Sequence, residues 1–195
     1  MKNLQENNVK MKTLIVYGTR YGATKGTSNE IAKILQNMNF DVKVVDAKEE
    51  EVNNISKYEL VIVGSGIKID RWTKEPEKFL KKFKKELTKK KVALFVSSGI
   101  QAIYEYEGKT DSMKRAQRKY LDEKANKYSL TPISTAIFGG VLNFGKMGLM
   151  ARKTVGQLWR KIEEAGFEKK EEIYDTRNWE KITNWTKELS KTVQS

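Results

Sequence analysis

The 195-residue chain has 38 Lys and Arg against 25 Asp and Glu, giving a formal net charge of +13, and 38% of its residues are hydrophobic. It contains neither Cys nor His, which excludes disulfides, thiolate nucleophiles and the commonest nitrogen ligand and general base, so an enzyme of this composition depends on a bound cofactor. The length predicts one domain at 11–195 after a flexible tail at 1–10. Because no signal peptide or long apolar run is present, we expect a cytoplasmic protein.

The first predicted strand is the continuous apolar run at 14–17, which is typical of a parallel strand buried on both faces. Thr19, Gly22 and Thr24 follow it, and the capping-box spacing at 27–30 predicts where the next helix begins. Free backbone N–H groups and the positive end of a helix dipole bind phosphate. We therefore expect a phosphate loop here, with an ordinary strand-to-helix turn as the alternative. If the helix begins at the capping box, Thr24 is part of a longer loop, and the hydroxyl of Thr27 or Ser28 binds the phosphate instead.

Apolar runs and helical spacing predict further elements in the middle of the chain. They are strands at 40–46, 60–64 and 92–96, a helix at 73–87, and at most a brief helix at 48–56. Ser65 and Gly66 follow the strand at 60–64, and Ser97, Ser98 and Gly99 follow the strand at 92–96. Because the carboxyl ends of parallel strands meet along one edge of a sheet, three polar loops there predict a convergent ligand site.

The last third of the chain predicts a helix, a strand and a long final helix. The elements are a helix at 111–127, a strand at 133–138 with a turn at 139–140, helical spacing within 143–166, a charged connector at 168–174 and a helix from about 178. Asp175 or Thr176 is expected to cap the final helix, and Trp179 and Trp185 are expected to face the core. The alternation of strands and helices predicts an α/β doubly wound, five-stranded parallel sheet of order 2-1-3-4-5, with an extra helical segment before the last helix.

Seven lysines crowd the end of the predicted helix at 73–87 and the loop behind it. They are Lys81, Lys82, Lys84, Lys85, Lys89, Lys90 and Lys91. The first interpretation is a solvated helix face. The alternative is attraction to an anionic partner, either an acidic protein or peripheral contact with an anionic membrane surface. Nucleic acid is disfavoured because no aromatic residue lies between Lys84 and Lys91.

The sequence Thr19-x-x-Gly22-x-Thr24 directly after a first strand resembles the FMN phosphate loop of flavodoxins, and it is neither a Walker A nor a Rossmann motif. Further segments are similar to the flavodoxin-domain family that includes menaquinone-dependent protoporphyrinogen dehydrogenase. They lie at 64–68, 71–72, 137–142 and 175–179. The resemblance implies a flavodoxin-like fold, FMN as cofactor, and electron transfer to a redox partner protein, a quinone or a small-molecule acceptor.

The resemblance also implies which residues bind FMN, and it assigns no catalytic side chain. They are Thr19, Arg20, Tyr21, Gly22, Ala23 and Thr24 in the first loop, Ser65, Gly66, Ile67 and Lys68 in the second, and Ser97, Ser98 and Gly99 in the third. The charge of Lys68 near the ring is expected to raise the flavin potential. Trp72 either stacks on the ring or packs against the next helix. Arg177 and Asp175 are expected to form an ion pair at the start of the final helix.

An FMN-dependent oxidoreductase or electron-transfer protein is therefore the expected function. One alternative is protoporphyrinogen oxidation with a quinone acceptor. Another is a non-redox flavodoxin-like module that holds an anionic partner through its basic surface. The Met-rich stretch at 141–152 is interpreted either as a loop packed on the sheet or as an exposed patch that meets a quinone, a porphyrin or a membrane surface.

Overall fold

The computed structural model describes residues 10–143, 156–171 and 173–195, leaving aside the side chains of Lys68 and of residues 156–159. Its main sheet is built from β1 (Lys12–Gly18), β2 (Asp41–Asp46), β3 (Leu60–Lys68), β4 (Arg71–Trp72), β5 (Lys91–Ser97) and β6 (Ser134–Phe138). Five of these strands are parallel, in the order β2-β1-β3-β5-β6, and the two-residue β4 pairs antiparallel with the end of β3. The predicted order 2-1-3-4-5 is thus confirmed, with β4 as an additional short strand.

The central strands are buried on both faces, as their continuous apolar runs predict. Ile15 of β1 lies in register between Val44 of β2 and Ile62 of β3. Its neighbours Leu14 and Val16 point to the opposite face, and all three side chains of β1 have no exposed surface. Helices therefore have to cover the sheet on both sides.

The structure describes eight α-helices and a π-helical turn, most of which form two layers around the main sheet. They are α1 (Ala23–Asn37), α2 (Lys74–Lys82), α3 (Lys84–Leu87), α4 (Gln101–Tyr106), α5 (Thr110–Gln117), a π-helical turn (Arg118–Asp122), α6 (Glu123–Lys127), α7 (Gly156–Glu164) and α8 (Trp179–Gln194). Helices α1 and α8 cover one face, through side chains such as Ile31 and Ile182. Helices α2, α3 and the stretch from the π-helical turn through α6 cover the other face, through side chains such as Phe79 and Leu121.

A second, antiparallel sheet replaces the charged connector predicted at 168–174. Its strands are β7 (Val141–Asn143), β8 (Lys169–Lys170) and β9 (Ile173–Asp175), in the order β7-β9-β8. The fully buried Tyr174 of β9 joins Ile103 of α4 and Ile162 of α7 in a small separate core. The prediction of a connector was wrong because strands of two or three residues are too short to show a period of two.

Two long predicted helices are interrupted in the structure. The helix predicted at 73–87 is broken at Phe83, whose backbone angles (φ −104°, ψ 21°) depart from the helical region. The helix predicted at 111–127 becomes α5, a π-helical turn and α6. Helix α4, with only six residues, was not predicted.

The final helix starts where it was predicted, but other residues shape its first turn. Asn178 caps it, since its side-chain oxygen accepts a hydrogen bond from the Lys181 N–H at 2.9 Å; the prediction of an Asp175 or Thr176 cap was wrong. Trp185 packs edge-on against the Phe138 ring, at 5.6 Å between ring centroids. Trp179 is 43% exposed, so its assignment to the core was also wrong.

Three of the seven clustered lysines bind neighbouring chain segments. Lys82 donates to the Glu51 carboxylate at 2.6 Å, and Lys90 donates to the Tyr58 carbonyl at 2.6 Å. Lys91 donates to the Val193 carbonyl near the end of α8. Three of the clustered lysines therefore stabilise the fold through hydrogen bonds to neighbouring segments.

Residues 1–9 and 144–155 lie outside the described residues. The first range belongs to the predicted tail, and the second belongs to the Met-rich stretch and to the predicted helical segment. Within the described ranges, no helix has both the length and the apolar character required to cross a membrane.

Candidate functional site

The loop after β1 turns directly into α1. Gly22 precedes the first helical residue in the left-handed conformation (φ 87°), which costs glycine little because it has no Cβ. The Gly22 N–H donates to Thr19 Oγ1 at 3.0 Å, which closes the loop. The helix therefore begins at Ala23, and the start predicted from the capping box at 27–30 was wrong.

This earlier start places Thr24 in the first turn of α1. The N–H groups of a first helical turn have no acceptor within the helix, and no side chain in the described part of the protein caps α1. The hydroxyl of Thr24 is fully buried and has no hydrogen-bond partner among the described residues. Several donors thus converge at one helix end, where the positive end of the dipole favours an anion.

The end of β3 approaches the first turn of α1 through Gly66. The strand predicted at 60–64 runs on to Lys68, so the residues predicted as the second loop, Ser65 to Lys68, belong to the strand. A Cβ on Gly66 would lie 3.3 Å from Thr24 Oγ1, so the end of β3 and the first turn of α1 are within contact distance. Ser65 has a structural role instead, since its buried hydroxyl accepts a hydrogen bond from the Thr73 N–H at 3.0 Å and lies 3.1 Å from Thr73 Oγ1. Ser65 therefore joins the end of β3 to the start of α2. The predicted contribution of the Lys68 side chain lies outside the described atoms.

The end of β5, where the third loop begins, contributes a second hydroxyl without a partner among the described residues, that of Ser97. Ser97 Oγ is buried and accepts or donates no hydrogen bond within the described ranges. Ser98 donates its N–H to the Phe138 carbonyl at 2.9 Å, which ties this loop to β6. Gly99 packs against Leu142 of β7, since a Cβ on Gly99 would lie 2.6 Å from Leu142 Cγ.

These loops enclose a cleft of about 80 Å³. Nine of the predicted site residues line it: Thr19, Arg20, Tyr21, Ala23, Thr24, Gly66, Ile67, Ser97 and Gly99. Gly22, Ser65 and Ser98 shape the loops without lining the cleft. Four lining residues were not predicted: Thr73, Gly140, Val141 and Leu142. Three loops were predicted from the sequence, but the turn at 139–140 follows the last parallel strand, and its place at the same sheet edge is the signal that could have identified it as a fourth loop.

Thr176, between β9 and α8, joins the third and fourth loops. Its buried hydroxyl accepts from the Gly140 N–H at 3.0 Å, and it lies 3.4 Å from the Gly99 carbonyl. The Thr176 N–H donates to the Gly140 carbonyl at 2.9 Å. One residue thus fixes the spacing of two loops that line the cleft.

Arg177 joins the same segment to α1. Its guanidinium pairs in a bidentate manner with Asp175, at 2.8 and 2.6 Å, which confirms the predicted ion pair. Its Nη1 donates to the Ala23 carbonyl at 3.3 Å, and a Cβ on Gly26 would overlap that nitrogen. Burial alone would raise the pKa of Asp175, but the hydrogen bonds and charge of Arg177 hold it below its usual value. The last segment is therefore bound to the first turn of the candidate phosphate helix.

Trp72 packs and does not enter the cleft. Its side chain is 6% exposed, and its indole N–H donates to the Tyr120 carbonyl at 2.8 Å. Of the two alternatives for Trp72, the packing interpretation is confirmed, and stacking on a flavin was wrong.

Comparison with known proteins gives a family model, described as "Flavodoxin domain", that matches residues 14–170. Among curated proteins, the chain is similar to protoporphyrinogen IX dehydrogenase [quinone] of Escherichia coli strain K12. The two are 23% identical over 180 residues, which are 92% of this chain and 95% of the relative.

Solved structures similar to this fold include a short-chain flavodoxin associated with a non-canonical PDU bacterial microcompartment. Its TM-score is 0.57 at 16% sequence identity, and the match covers 94% of this chain and 99% of that one. A flavodoxin from the domain Archaea has a TM-score of 0.50 and 16% identity, with 95% and 100% covered. Rubredoxin oxygen:oxidoreductase from Desulfovibrio gigas has a TM-score of 0.51 and 15% identity, with 95% of this chain and 38% of that longer chain covered. At these identities the likeness shows the fold.

Proposed function

This chain belongs to the flavodoxin domain family, and we propose that it binds FMN in the cleft and uses it to transfer electrons. The observation that carries the proposal is the buried Thr24 hydroxyl, which lacks a partner in the described structure and lies at the uncapped start of α1. A buried polar group without a partner is costly, so the site is arranged for an acceptor that the protein itself does not supply.

The phosphate of FMN fits these donors. The first-turn N–H groups of α1 and the Thr24 hydroxyl would bind its oxygens, and the helix dipole would favour its charge. Thr19 would hold the loop closed by accepting the Gly22 N–H, and its own O–H would still donate to a phosphate oxygen. The buried Ser97 hydroxyl, which also lacks a partner among the described residues, supplies a further group in the lining of the cleft.

The ring of FMN requires the cleft to widen. A volume of about 80 Å³ lies well below the roughly 300–1,000 Å³ of ordinary ligand pockets. Leu142 packs directly on Gly99 at this point. We therefore propose that Leu142 moves away from Gly99 when the ring enters.

Bound FMN would accept and return electrons, and the protein would orient it and limit its contact with water. The phosphate end would be held by α1, and the ring end would lie toward the loops that Thr176 fixes. A redox partner protein, a quinone or a small-molecule acceptor would exchange electrons at the open side.

A second candidate is a dehydrogenase that oxidises a porphyrinogen and reduces a quinone. It is favoured by the match to the Escherichia coli enzyme of that name over 92% of this chain. A third candidate is a flavodoxin-like module that holds an anionic partner without redox chemistry, for which the net charge of +13 is the supporting observation.

The test is cofactor binding by the purified protein. We expect a yellow protein that releases flavin on denaturation, or an apoprotein that quenches FMN fluorescence on titration. Riboflavin, which lacks the phosphate, should bind much more weakly because it loses the contacts at α1. A protein that stays colourless after incubation with FMN would refute the proposal and favour the non-redox module.

The dehydrogenase candidate needs its own assay. Protoporphyrinogen oxidation should depend on added quinone and on bound FMN. If the reduced flavoprotein transfers electrons to protein or small-molecule acceptors but does not oxidise protoporphyrinogen, the general electron-transfer function stands and the dehydrogenase is excluded.

A further inference from the structure

A larger groove, of about 1040 Å³, opens beside the cleft and shares Thr19, Arg20 and Thr73 with it. Seven of its lining side chains are Lys or Arg, and four are Asp or Glu. The groove is therefore cationic and adjoins the place where electrons would enter or leave.

Several charges in the groove neutralise each other. Asp70 pairs with Lys119, and Glu77 pairs with both Lys124, at 2.9 Å, and Lys127, at 2.7 Å. Arg71 and Lys74 are exposed and have no ion pair among the described residues. These two side chains keep their full charge toward solvent and toward any anionic surface that approaches.

The hairpin turn between β3 and β4 stands at the edge of this groove. Both of its turn residues have positive φ, 44° for Ile69 and 62° for Asp70. Turns of this kind favour Asn and Gly, and a β-branched residue in the left-handed region is strained. Ile69 is also 84% exposed, so its side chain gains nothing from burial within the chain.

Contacts with the π-helical turn nevertheless hold the strained hairpin turn in place. The Asp70 carboxylate accepts hydrogen bonds from Lys119 and from the Tyr120 hydroxyl. The neighbouring Trp72 donates to the Tyr120 carbonyl at 2.8 Å. The π-helical turn that carries Lys119 and Tyr120 thus fixes the hairpin with Ile69 pointing outward. Strain that the surrounding contacts maintain at an exposed position is characteristic of binding surfaces.

We propose that the hairpin tip and the cationic groove form the docking surface for an acidic electron-transfer protein, with Ile69 as the apolar anchor and Arg71 and Lys74 as the cations that meet its carboxylates. This inference rests on the proposed function, because the groove adjoins the FMN cleft. Complementary charge speeds the encounter, and an apolar contact near the centre adds affinity. One electron would leave the reduced iron–sulfur centre of such a partner and enter bound FMN, so that oxidation of the partner balances reduction of the flavin.

The probe is an oxidised plant-type [2Fe–2S] ferredoxin, a small acidic protein, titrated by calorimetry at low salt. The Ile69→Asn variant should bind it more weakly by about fivefold or more. The same variant should unfold at a higher temperature, because Asn is favoured in the left-handed region. A lower unfolding temperature would show that Ile69 supports the fold, and it would overturn the assignment of Ile69 as an anchor.

A matched pair of charge variants tests the groove. Arg71→Gln with Lys74→Gln should weaken ferredoxin binding by about twofold to thirtyfold, from the strength of two exposed ion pairs. Lys84→Gln with Lys85→Gln, on the exposed side of α3, removes the same charge elsewhere and should have a clearly smaller effect. Equal losses in the two double variants would show that only net charge matters, and they would overturn the proposal.

The remaining outcomes separate this inference from the proposed function. An FMN-loaded protein without measurable affinity for ferredoxin at low salt overturns the docking surface and leaves FMN binding intact. A protein that takes up no FMN but binds ferredoxin through Ile69 supports the surface and refutes the proposed function. If Ile69→Asn weakens binding to phosphatidylserine vesicles but not to ferredoxin, the surface meets a membrane and the proposal is overturned.

Discussion

Replacing Thr24 by Val tests the phosphate site most directly. Val has nearly the shape of Thr and a similar helix propensity, but it lacks the hydroxyl. Because Thr24 Oγ1 is buried without a partner in the described structure, removing it should stabilise the cofactor-free protein by about 1–3 kcal/mol, which is the cost of an unsatisfied buried group. The same change should weaken FMN binding.

The size of the binding loss follows from the charge of the acceptor. A hydrogen bond to a charged group contributes about 1.5–3 kcal/mol, so the dissociation constant for FMN should rise roughly tenfold to 150-fold. Riboflavin affinity should not change, since riboflavin has no phosphate. Stability and FMN affinity should thus move in opposite directions, which no general damage to the fold would produce.

Fluorescence titration with FMN and riboflavin and thermal unfolding of the apoprotein measure these effects. Thr27→Val is the matched control, because the Thr27 hydroxyl is equally buried and unpartnered among the described residues but lies one turn further along α1, away from the cleft. It should stabilise the protein and leave FMN affinity unchanged. If Thr24→Val and Thr27→Val change FMN affinity equally, Thr24 does not bind the phosphate and the reasoning fails.

Two further outcomes follow from described contacts. Burial alone would raise the pKa of Glu77, but hydrogen bonds from Lys127, Lys124 and Tyr128 lower it from 4.5 to about 2. Because the pKa is lower in the folded protein, the contribution of Glu77 to stability is present above pH 4.5 and is lost as the pH falls toward about 2. Glu77→Gln should therefore cost about 1–2 kcal/mol at pH 7, allowing for solvent screening, and less at pH 3, as urea unfolding at both pH values would measure. Leu142→Ala should speed FMN association in stopped-flow fluorescence, because the side chain that packs on Gly99 is removed, and an unchanged rate would show that Leu142 does not limit entry.

The sequence predicted the main sheet well because its strands are continuous apolar runs. Such runs at 14–17, 60–64 and 92–96 have one stable position, in the middle of a covered parallel sheet. That the loops behind them share one edge of the sheet followed from topology, and the resemblance to flavodoxins supplied the individual site residues. Nine of the predicted residues consequently line one cleft.

Local patterns failed where several structures compete for the same residues. The capping box at 27–30 is a valid start signal with Thr27 as N-cap, but the helix already begins five residues earlier, with Gly22 as N-cap in its left-handed conformation. The place of Trp72 depends on Tyr120, which lies 48 residues away in the chain. The short β8 pairs with β9, whose Tyr174 packs into a core that segments distant in the chain complete.

The segment from Asp175 to Arg177 has a consequence for the order in which the protein matures. It contacts the third loop, the fourth loop and the first turn of α1, and the α8 helix behind it covers one face of the sheet. During synthesis the strands that form the cleft emerge well before this segment does. A nascent chain therefore has all the parallel strands while the loops of the candidate cleft are still unconnected, and under the proposed function stable uptake of FMN would wait until α8 has docked.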